Sequence, residues 1–491
     1  MNSDVKDQSR GGLARGLGQL DATTIVVGSM IGSGIFLTSA ESARLIGAPG
    51  WLLMAWALAG LLTITGALCC AELAAMMPRA GGQYVFLREA YSPAFGFLFG
   101  WAVFLVIQTG TIAAVAVAFA RFTGVLVPGI ATANYLIAPV PLGGGYAISL
   151  STEQLVAVAM ILLLTWSNTR GLELGKLVQN TFTFAKTAAL IGLIVLGLAL
   201  GWGETSAART AAWWDSAANG WRPEIAQPGL AATGALALLM LLGKAMVGPL
   251  FAQSAWNNVT FTGSEVRDPG RTLPRALLIG CGIVVTLYIL ANIAYVATLP
   301  LEGIQNAPQN RVAVAAMNAI LGPAGTVLMA IAIMISTFGC NNGLILAGAR
   351  VYWSMARDGL FFKRAGTLNA NGVPAFALMT QAVWTTLLCL TGTYNQLLDY
   401  VIFAALVFYA LTTIGLFVLR RTRPDAERPY RAIGYPVLPA LYIALSTAVA
   451  IILLVAEKTR TQAISGLVLV LIGVPVYLAW RARPAGAATP S

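Results

Sequence analysis

Near the middle of the first apolar segment stands the stretch Gly28-Ser29-Met30-Ile31-Gly32-Ser33-Gly34-Ile35-Phe36. Its three glycines and two serines disfavour a continuous helix, because each glycine costs about 1 kcal/mol relative to alanine. Small residues also let a ligand approach backbone N–H and C=O groups that a break sets free. The stretch therefore predicts an interrupted helix with a binding site. The alternative is close helix packing, which also favours glycine and serine in membranes.

The chain around this stretch is strongly apolar. Of its 491 residues, 58% are hydrophobic and 10% are charged, whereas a soluble globular protein usually has about 25% charged residues. The apolar residues come in blocks of roughly 20, the length at which a helix crosses a hydrocarbon core of about 30 Å. The composition predicts an all-α integral membrane protein and excludes a soluble one.

The apolar blocks predict about twelve transmembrane helices. Their ranges, in chain order, are 22–46, 51–77, 93–122, 153–169, 177–202, 231–264, 274–299, 322–356, 374–392, 396–420, 434–456 and 462–480. The loops 123–152 and 203–230 are long enough for local structure, but neither resembles a folded domain.

The basic residues indicate the orientation of these helices. Most of the 30 Lys and Arg residues fall on one predicted side, including Arg420, Arg421, Arg423, Arg428 and Arg431. Cytoplasmic loops are enriched in Lys and Arg, so both termini are predicted to be cytoplasmic, in a cell inner or plasma membrane. The net charge of +11 is then a sign of topology, and no nucleic-acid partner is expected. Lipids are the expected surroundings.

The sixth apolar segment is interrupted like the first. It contains Gly248-Pro249 and then Gln253-Ser254-Ala255-Trp256-Asn257-Asn258 where a continuous apolar span is expected. Interruptions at positions one and six fit a 5+5 inverted repeat, in which two broken helices form a site near the membrane midplane. The predicted organisation is a tail at 1–21, repeats at 22–202 and 231–420, two further helices within 434–480 and a tail at 481–491.

An ordered series of motifs resembles the amino acid, polyamine and organocation (APC) superfamily, especially its L-type amino acid transporter branch and related bacterial permeases. The matching stretches are Gly32-Ser33-Gly34-Ile35-Phe36, Gly81-Gly82-Gln83-Tyr84, Phe251 to Asn258, Glu265 to Pro269 with Leu273-Pro274-Arg275, and Ala356-Arg357-Asp358-Gly359 with Val373-Pro374. The resemblance covers nearly the whole chain. It implies a secondary-active amino acid transporter that works by alternating access.

The same resemblance implies the residues of the binding site. Backbone and side chains from the first helix would contact the amino and carboxylate ends of the substrate, joined by residues of the sixth helix. The implied set is Ile31, Gly32, Ser33, Gly34, Ile35, Phe251, Ala252, Ser254 and Asn257, with Phe251 also closing the site as a gate. Similar chains often carry an aromatic residue in place of Gln253 and glycine in place of Ser254. A side chain at Ser254 shrinks the pocket, so small or medium neutral amino acids are the expected substrates.

Two lysines lie within predicted helices. Lys186 is about nine residues into the fifth helix and resembles a lysine that occupies the sodium region of sodium-coupled relatives, which implies sodium independence. It could instead be a structural lysine bonded to helix-end carbonyls, or a proton carrier, since burial lowers the pKa of a lysine. Exchange and proton symport therefore both stay open. The role of Lys244 is also open, because it could extend outward to the interface or line the outer vestibule.

Other classes of function have less support in the sequence. Histidine is absent, and no nucleophile with its base, metal cluster or paired intramembrane acids is present, so no enzyme activity, metal or cofactor is expected. A cationic amino acid or polyamine antiporter is the alternative carrier, and an amino acid sensor or a channel is the alternative outside transport. Some animal L-type transporters join an accessory subunit through a disulfide in the loop after helix three. Residues 123–152 contain no cysteine, so no disulfide-linked accessory subunit is expected.

Overall fold

The computed structural model describes residues 13, 15–143, 146–222, 226, 234–391, 394–455 and 457–481. The predicted tails at 1–21 and 481–491, and the first residues of the predicted sixth helix, lie partly outside this range. The described residues are mostly helical, as the apolar blocks predict.

Up to Leu200, the described residues form nine α-helices and one hairpin. The helices are α1 (Gln19–Met30), α2 (Gly34–Leu37), α3 (Ser39–Ile46), α4 (Pro49–Met76), α5 (Gln83–Ala90), α6 (Pro93–Ala102), α7 (Gln108–Leu126), α8 (Thr152–Asn168) and α9 (Leu172–Leu200). A π-helical turn at Val103–Ile107 joins α6 to α7, so that they form one long span. Strands β1 (Tyr135–Gly143) and β2 (Tyr146–Ser151) form an antiparallel hairpin between α7 and α8. This hairpin is a local structure that the apolar pattern did not predict.

The second half continues with helices up to the described end of the chain. They are α10 (Gly234–Ala245), α11 (Val247–Ala252), α12 (Asn258–Phe261), α13 (Pro269–Thr298), α14 (Leu301–Gln305), α15 (Val312–Arg357), α16 (Ala375–Thr391), α17 (Tyr394–Thr422), α18 (Val437–Val455) and α19 (Glu457–Arg481). Short 3₁₀ turns occupy Ala207–Arg209, Gly263–Glu265, Pro308–Asn310 and Lys363–Gly366.

The number of spans agrees with the prediction. Within the described residues, ten helical segments are long and apolar enough to cross a membrane, and α8 and α16, each of 17 residues, take the fourth and ninth predicted positions. The eighth helix starts earlier than predicted. The predicted start falls at a kink, where Gly322 has a φ of 62° and Pro323 follows. The kink forms because proline removes a backbone donor of the helix.

Both predicted breaks are present. Residues 31–33 separate α1 from α2, and residues 253–257 separate α11 from α12. The described chain is therefore a membrane protein of about twelve helices with the APC-type fold, in which helices one and six are discontinuous. The exact limits of the two repeats stay a prediction.

The long helices end on two sides that differ in structure. We call one the amino-terminal side. It carries the start of α1 and the 3₁₀ turn Gly263–Glu265, which pair through hydrogen bonds from the Gly16 and Leu17 amides to the Glu265 carbonyl at 3.0 and 2.9 Å. We call the other the hairpin side, and it carries β1, β2 and the loop 203–222. Chain order places these two sets of residues at opposite ends of the long helices.

Candidate functional site

Hydrogen-bond donors from other helices stabilise the break in the first helix. The helical path ends at Ile31, whose ψ is 87°, and the regular pattern of helical hydrogen bonds stops there. Tyr288 donates from its hydroxyl to the Met30 carbonyl at 2.8 Å, and Tyr295 donates to the Ile35 carbonyl at 3.2 Å. Both tyrosines belong to α13. The break is thus a defined structure whose buried acceptors have partners, as the membrane interior requires.

Lys186 supplies the strongest donor at this break. It is fully buried, and its Nζ donates to the carbonyls of Gly28 at 2.5 Å and Ile31 at 2.9 Å. Ser336 of α15 donates its hydroxyl to the same Ile31 carbonyl at 3.2 Å. An ammonium group at the carboxyl end of α1 also faces the negative end of that helix's dipole. Lys186 therefore joins α9 to the broken first helix and neutralises the partial charges at its end.

The break in the sixth helix has its own local geometry. Ala255 adopts a φ of 66°, which L-amino acids rarely occupy, and this turn separates α11 from α12. Ser254 donates its hydroxyl back to the Phe251 carbonyl at 2.7 Å. Strained backbone of this kind persists only where the surrounding structure enforces it, and it is common at binding sites.

The two breaks meet at Gly34 and Ala252. A Cβ atom placed on Gly34 would lie 2.6 Å from the Cβ of Ala252 and 2.7 Å from its Cα. Real Cβ atoms do not approach that closely, so only glycine permits this contact. A Cβ on Gly32 would lie 3.0 Å from the sulfur of Cys340 on α15. The glycines thus serve close packing as well as the break itself, and the binding site at this stretch stays a prediction.

Asn257 lies at the centre of a polar network behind the sixth helix. Its Nδ2 donates to Oε1 of Gln83 at 2.6 Å, and its Oδ1 accepts from the Tyr409 hydroxyl at 3.1 Å. The ring of Trp256 lies 5.2 Å from that of Tyr409. Asn257 therefore holds the end of the break against α5 and α17. Because both ends of its amide are bonded to protein groups, its side chain is better placed to support the break than to contact a substrate.

The nine implied contact residues are all buried. The first break and the start of α2 contain Ile31, Gly32, Ser33, Gly34 and Ile35. The end of α11 and the second break contain Phe251, Ala252, Ser254 and Asn257. Ser254 borders two narrow cavities. One continues to Gln108, Thr111 and Asn258, and the other to Thr63, Gln253 and Tyr442. The structure is therefore a closed conformation, with Phe251 only 5% exposed.

The amino-terminal side of the site is closed by ion pairs. Glu265 and Arg350 form a buried pair, with Nε of Arg350 2.9 Å from the carboxylate. Nearer the surface, Tyr84 donates to Asp358 at 2.7 Å, and Arg88 contacts the same carboxylate. Burial and the neighbouring Asp358 carboxylate raise the pKa of Tyr84, so this hydroxyl stays protonated and keeps donating.

Several residues of the site were missed by sequence reasoning. Tyr288, Tyr295 and Ser336 stabilise the first break, and the thiol of Cys340 lies 3.1 Å from the Ser29 carbonyl as a weak donor. Buried tyrosines within an apolar helix were the available signal, since a buried hydroxyl usually has a partner. Lys244, whose role the sequence left open, is buried in the last turn of α10.

The sequence of this chain is similar to those of known proteins. The chain is 31% identical over 436 residues to the human b(0,+)-type amino acid transporter 1, covering 87% of this chain and 81% of that protein. It is 30% identical over 483 residues to the human large neutral amino acids transporter small subunit 2, covering 96% of this chain and 82% of that protein. The mouse protein of the latter name matches over the same span.

These relatives correct one prediction. The expectation of no disulfide-linked accessory subunit is wrong. A relative that matches almost the whole chain is named a small subunit, that is, one chain of a larger transporter. The physical reason for the error is that a cysteine-free loop at 123–152 bears on one covalent link at one place. It carries no information about whether another chain packs against the membrane domain.

The family is shown by its own sequence model. The model for amino acid permeases matches residues 17–476, which include both broken helices, Lys186 and the buried Glu265–Arg350 pair. Members of this family are transporters, and the similar proteins also carry the names of amino acid transporters. The chain belongs to the amino acid permease family and is a multi-pass membrane transporter of amino acids, not an enzyme.

Proposed function

We propose that this transporter is a sodium-independent exchanger or permease for small and medium neutral L-amino acids, and that it works by alternating access. The observation that carries the proposal is the meeting of two broken helices at Gly34 and Ala252, with Lys186 fixed on the carbonyls of the first break. The residues around the breaks form the binding site in this proposal.

The backbone at the breaks supports recognition of the part that all amino acids share. The amides at the start of α2, including those of Gly34 and Ile35, carry no side-chain cap. Amides at a helix start favour a carboxylate, and backbone carbonyls that accept one hydrogen bond keep a second lone pair for an ammonium group. An α-amino acid presents both groups. In this proposal, residues 31–35 hold these ends through backbone atoms, and Phe251 closes over them.

The size preference rests on Ser254. Its side chain lies between two narrow cavities and bonds to the Phe251 carbonyl, so it occupies volume that a glycine would leave free. Small and medium neutral substrates fit this restriction. The second candidate is transport of large neutral amino acids, which is favoured by the name of the 30% identical human relative.

Sodium independence rests on Lys186. Its ammonium group donates to the carbonyls of Gly28 and Ile31, and these are oxygens of the kind that bind hard cations. A fixed positive charge bonded to them disfavours a second cation at the same oxygens. Proton symport stays the alternative mode of coupling, since a buried lysine can also exchange a proton.

The proposed location is the cell inner or plasma membrane, with both termini in the cytoplasm. The amino-terminal side carries the arginine-rich end of α17 and the segment that follows it, with Arg420 in the helix and Arg423 and Arg428 after it. Enrichment in arginine supports a cytoplasmic position for that side.

Counterflow in proteoliposomes tests the function. Vesicles preloaded with unlabelled alanine should accumulate labelled alanine in potassium and sodium buffers alike, and a competition panel of the common amino acids should rank small neutral ones first. Accumulation that needs a sodium gradient would contradict sodium independence, and strong competition by phenylalanine and leucine alone would favour the second candidate. A proton gradient that drives uptake without internal substrate would favour symport. Conductance without counterflow would identify a channel, and binding without either would identify a sensor.

A further inference from the structure

The β1–β2 hairpin differs in composition from other segments outside the spans. No charged residue stands between Arg121 and Glu153, although α7 ends at Leu126 and α8 begins only at Thr152. The other long loop on this side, residues 203–222, carries Glu204, Arg209, Asp215 and Arg222. A connection without charge is unusual for a segment surrounded by water.

The outer strand of the hairpin exposes apolar side chains on both of its faces. Tyr135, Leu136, Ile137 and Val140 are between 46% and 59% exposed. Successive residues of a strand point to opposite faces, so Leu136 and Ile137 expose apolar groups in two directions. A hairpin that faces water normally alternates apolar and polar residues. This strand has no polar face.

The edge of β1 is poorly suited to pairing with another strand. Its inner side pairs with β2, and Pro139 and Pro141 lie within it. Proline has no N–H to donate, and prolines on edge strands prevent edge-to-edge pairing. Addition of a strand from a second protein is therefore disfavoured, and the apolar side chains need another kind of partner.

The hairpin packs beside two spans that expose apolar side chains. Strand β2 packs on α8 and α16. Towards their hairpin-side ends, these helices expose Leu155 on α8 and Leu387 on α16. A strand edge with unpaired carbonyls does not lie within hydrocarbon. The boundary between headgroups and acyl chains accommodates both the apolar side chains and the polar edge, and tyrosine is enriched there.

We propose that the β1–β2 hairpin lies on the membrane surface at the level of the lipid headgroups, where Leu136, Ile137 and Val140 contact the upper acyl chains. The hairpin then anchors the ends of α7 and α8 at the interface. This assignment concerns a surface outside the substrate site and does not depend on the proposed substrate.

The test compares two labelled cysteine variants of the full chain. Ile137→Cys and Asp215→Cys each receive an environment-sensitive fluorophore, and the unsubstituted chain is the labelling control because its five cysteines are buried. Both are reconstituted in vesicles of phosphatidylethanolamine and phosphatidylglycerol, with and without lipids spin-labelled on the acyl chain close to the headgroup. At position 137 we expect at least about twofold quenching by these lipids and weak quenching by iodide, as for an interfacial side chain. At position 215, which is exposed, we expect strong quenching by iodide and weak quenching by the spin-labelled lipids.

Either of two results would overturn the proposal. Strong quenching by iodide and none by spin-labelled lipid at position 137 would mean that the hairpin stands in water. Protection from both quenchers would mean that a protein surface, such as an accessory subunit or a second copy of the chain, covers it. Labelled Ile137→Cys should keep its counterflow activity, which confirms that the protein measured is folded.

Discussion

Gly34 and Ala252 pack so closely that a Cβ on the glycine would lie 2.6 Å from the Cβ of the alanine. One residue starts α2 and the other ends α11, so the two broken helices meet directly at their interruptions. A closely packed interface changes between discrete arrangements and does not deform gradually. Movement of one broken helix must therefore displace the other, which is the behaviour that alternating access requires.

Gly34→Ala tests this contact. The added methyl group has no room against Ala252, and overpacking of a tight core typically costs about 1–3 kcal/mol. We expect counterflow of alanine to fall by about tenfold or more. Gly192→Ala is the matched control, because a Cβ on Gly192 of α9 meets nothing within 4 Å. Equal activity of the two variants would mean that the close contact has no role in transport.

The breaks themselves could be predicted from the sequence because their causes are local. Glycine, serine and proline destabilise a helix wherever they cluster, and the apolar blocks on either side define the spans. The partners of the breaks are not local. Tyr288 reaches the Met30 carbonyl from a helix 258 residues away in the chain, and nothing in either segment alone predicts that pairing. The hairpin was missed because its exposed strand has no alternation of apolar and polar residues.

Lys186→Met tests the role of the buried ammonium group. The variant keeps an unbranched side chain and removes the donor to the carbonyls of Gly28 and Ile31. A buried acceptor left without a partner costs about 1–3 kcal/mol, so we expect counterflow to fall by at least about tenfold. Lys176→Met on the same helix is the control, since Lys176 is paired only with an exposed Glu173 at 2.9 Å in the described structure. Unchanged transport by Lys186→Met, in sodium and in potassium, would remove this residue from the mechanism.

Ser254→Gly tests the origin of the size preference. The change removes the hydroxymethyl group between the two cavities that border the sixth-helix break. We expect competition by leucine and phenylalanine to strengthen relative to alanine by about tenfold, since one or two buried heavy atoms typically change discrimination by about 1–3 kcal/mol. Ser254→Ala, which keeps most of the volume, should retain the parent ranking. An unaltered ranking in the glycine variant would place selection elsewhere.

Glu265→Gln tests the buried ion pair on the amino-terminal side. Glu265 and Arg350 are almost fully buried, and removal of one partner from such a pair typically costs about 3–5 kcal/mol because the other charge stays buried without compensation. We expect the apparent melting temperature in detergent to fall by several degrees. The double variant Glu265→Gln, Arg350→Met should lose less than the sum of the two single variants, because the residues are coupled. Glu41→Gln, which affects the exposed Glu41–Arg44 pair, should change stability by at most about 1 kcal/mol. If the two glutamate variants melt alike, the buried pair does not stabilise the closed amino-terminal side.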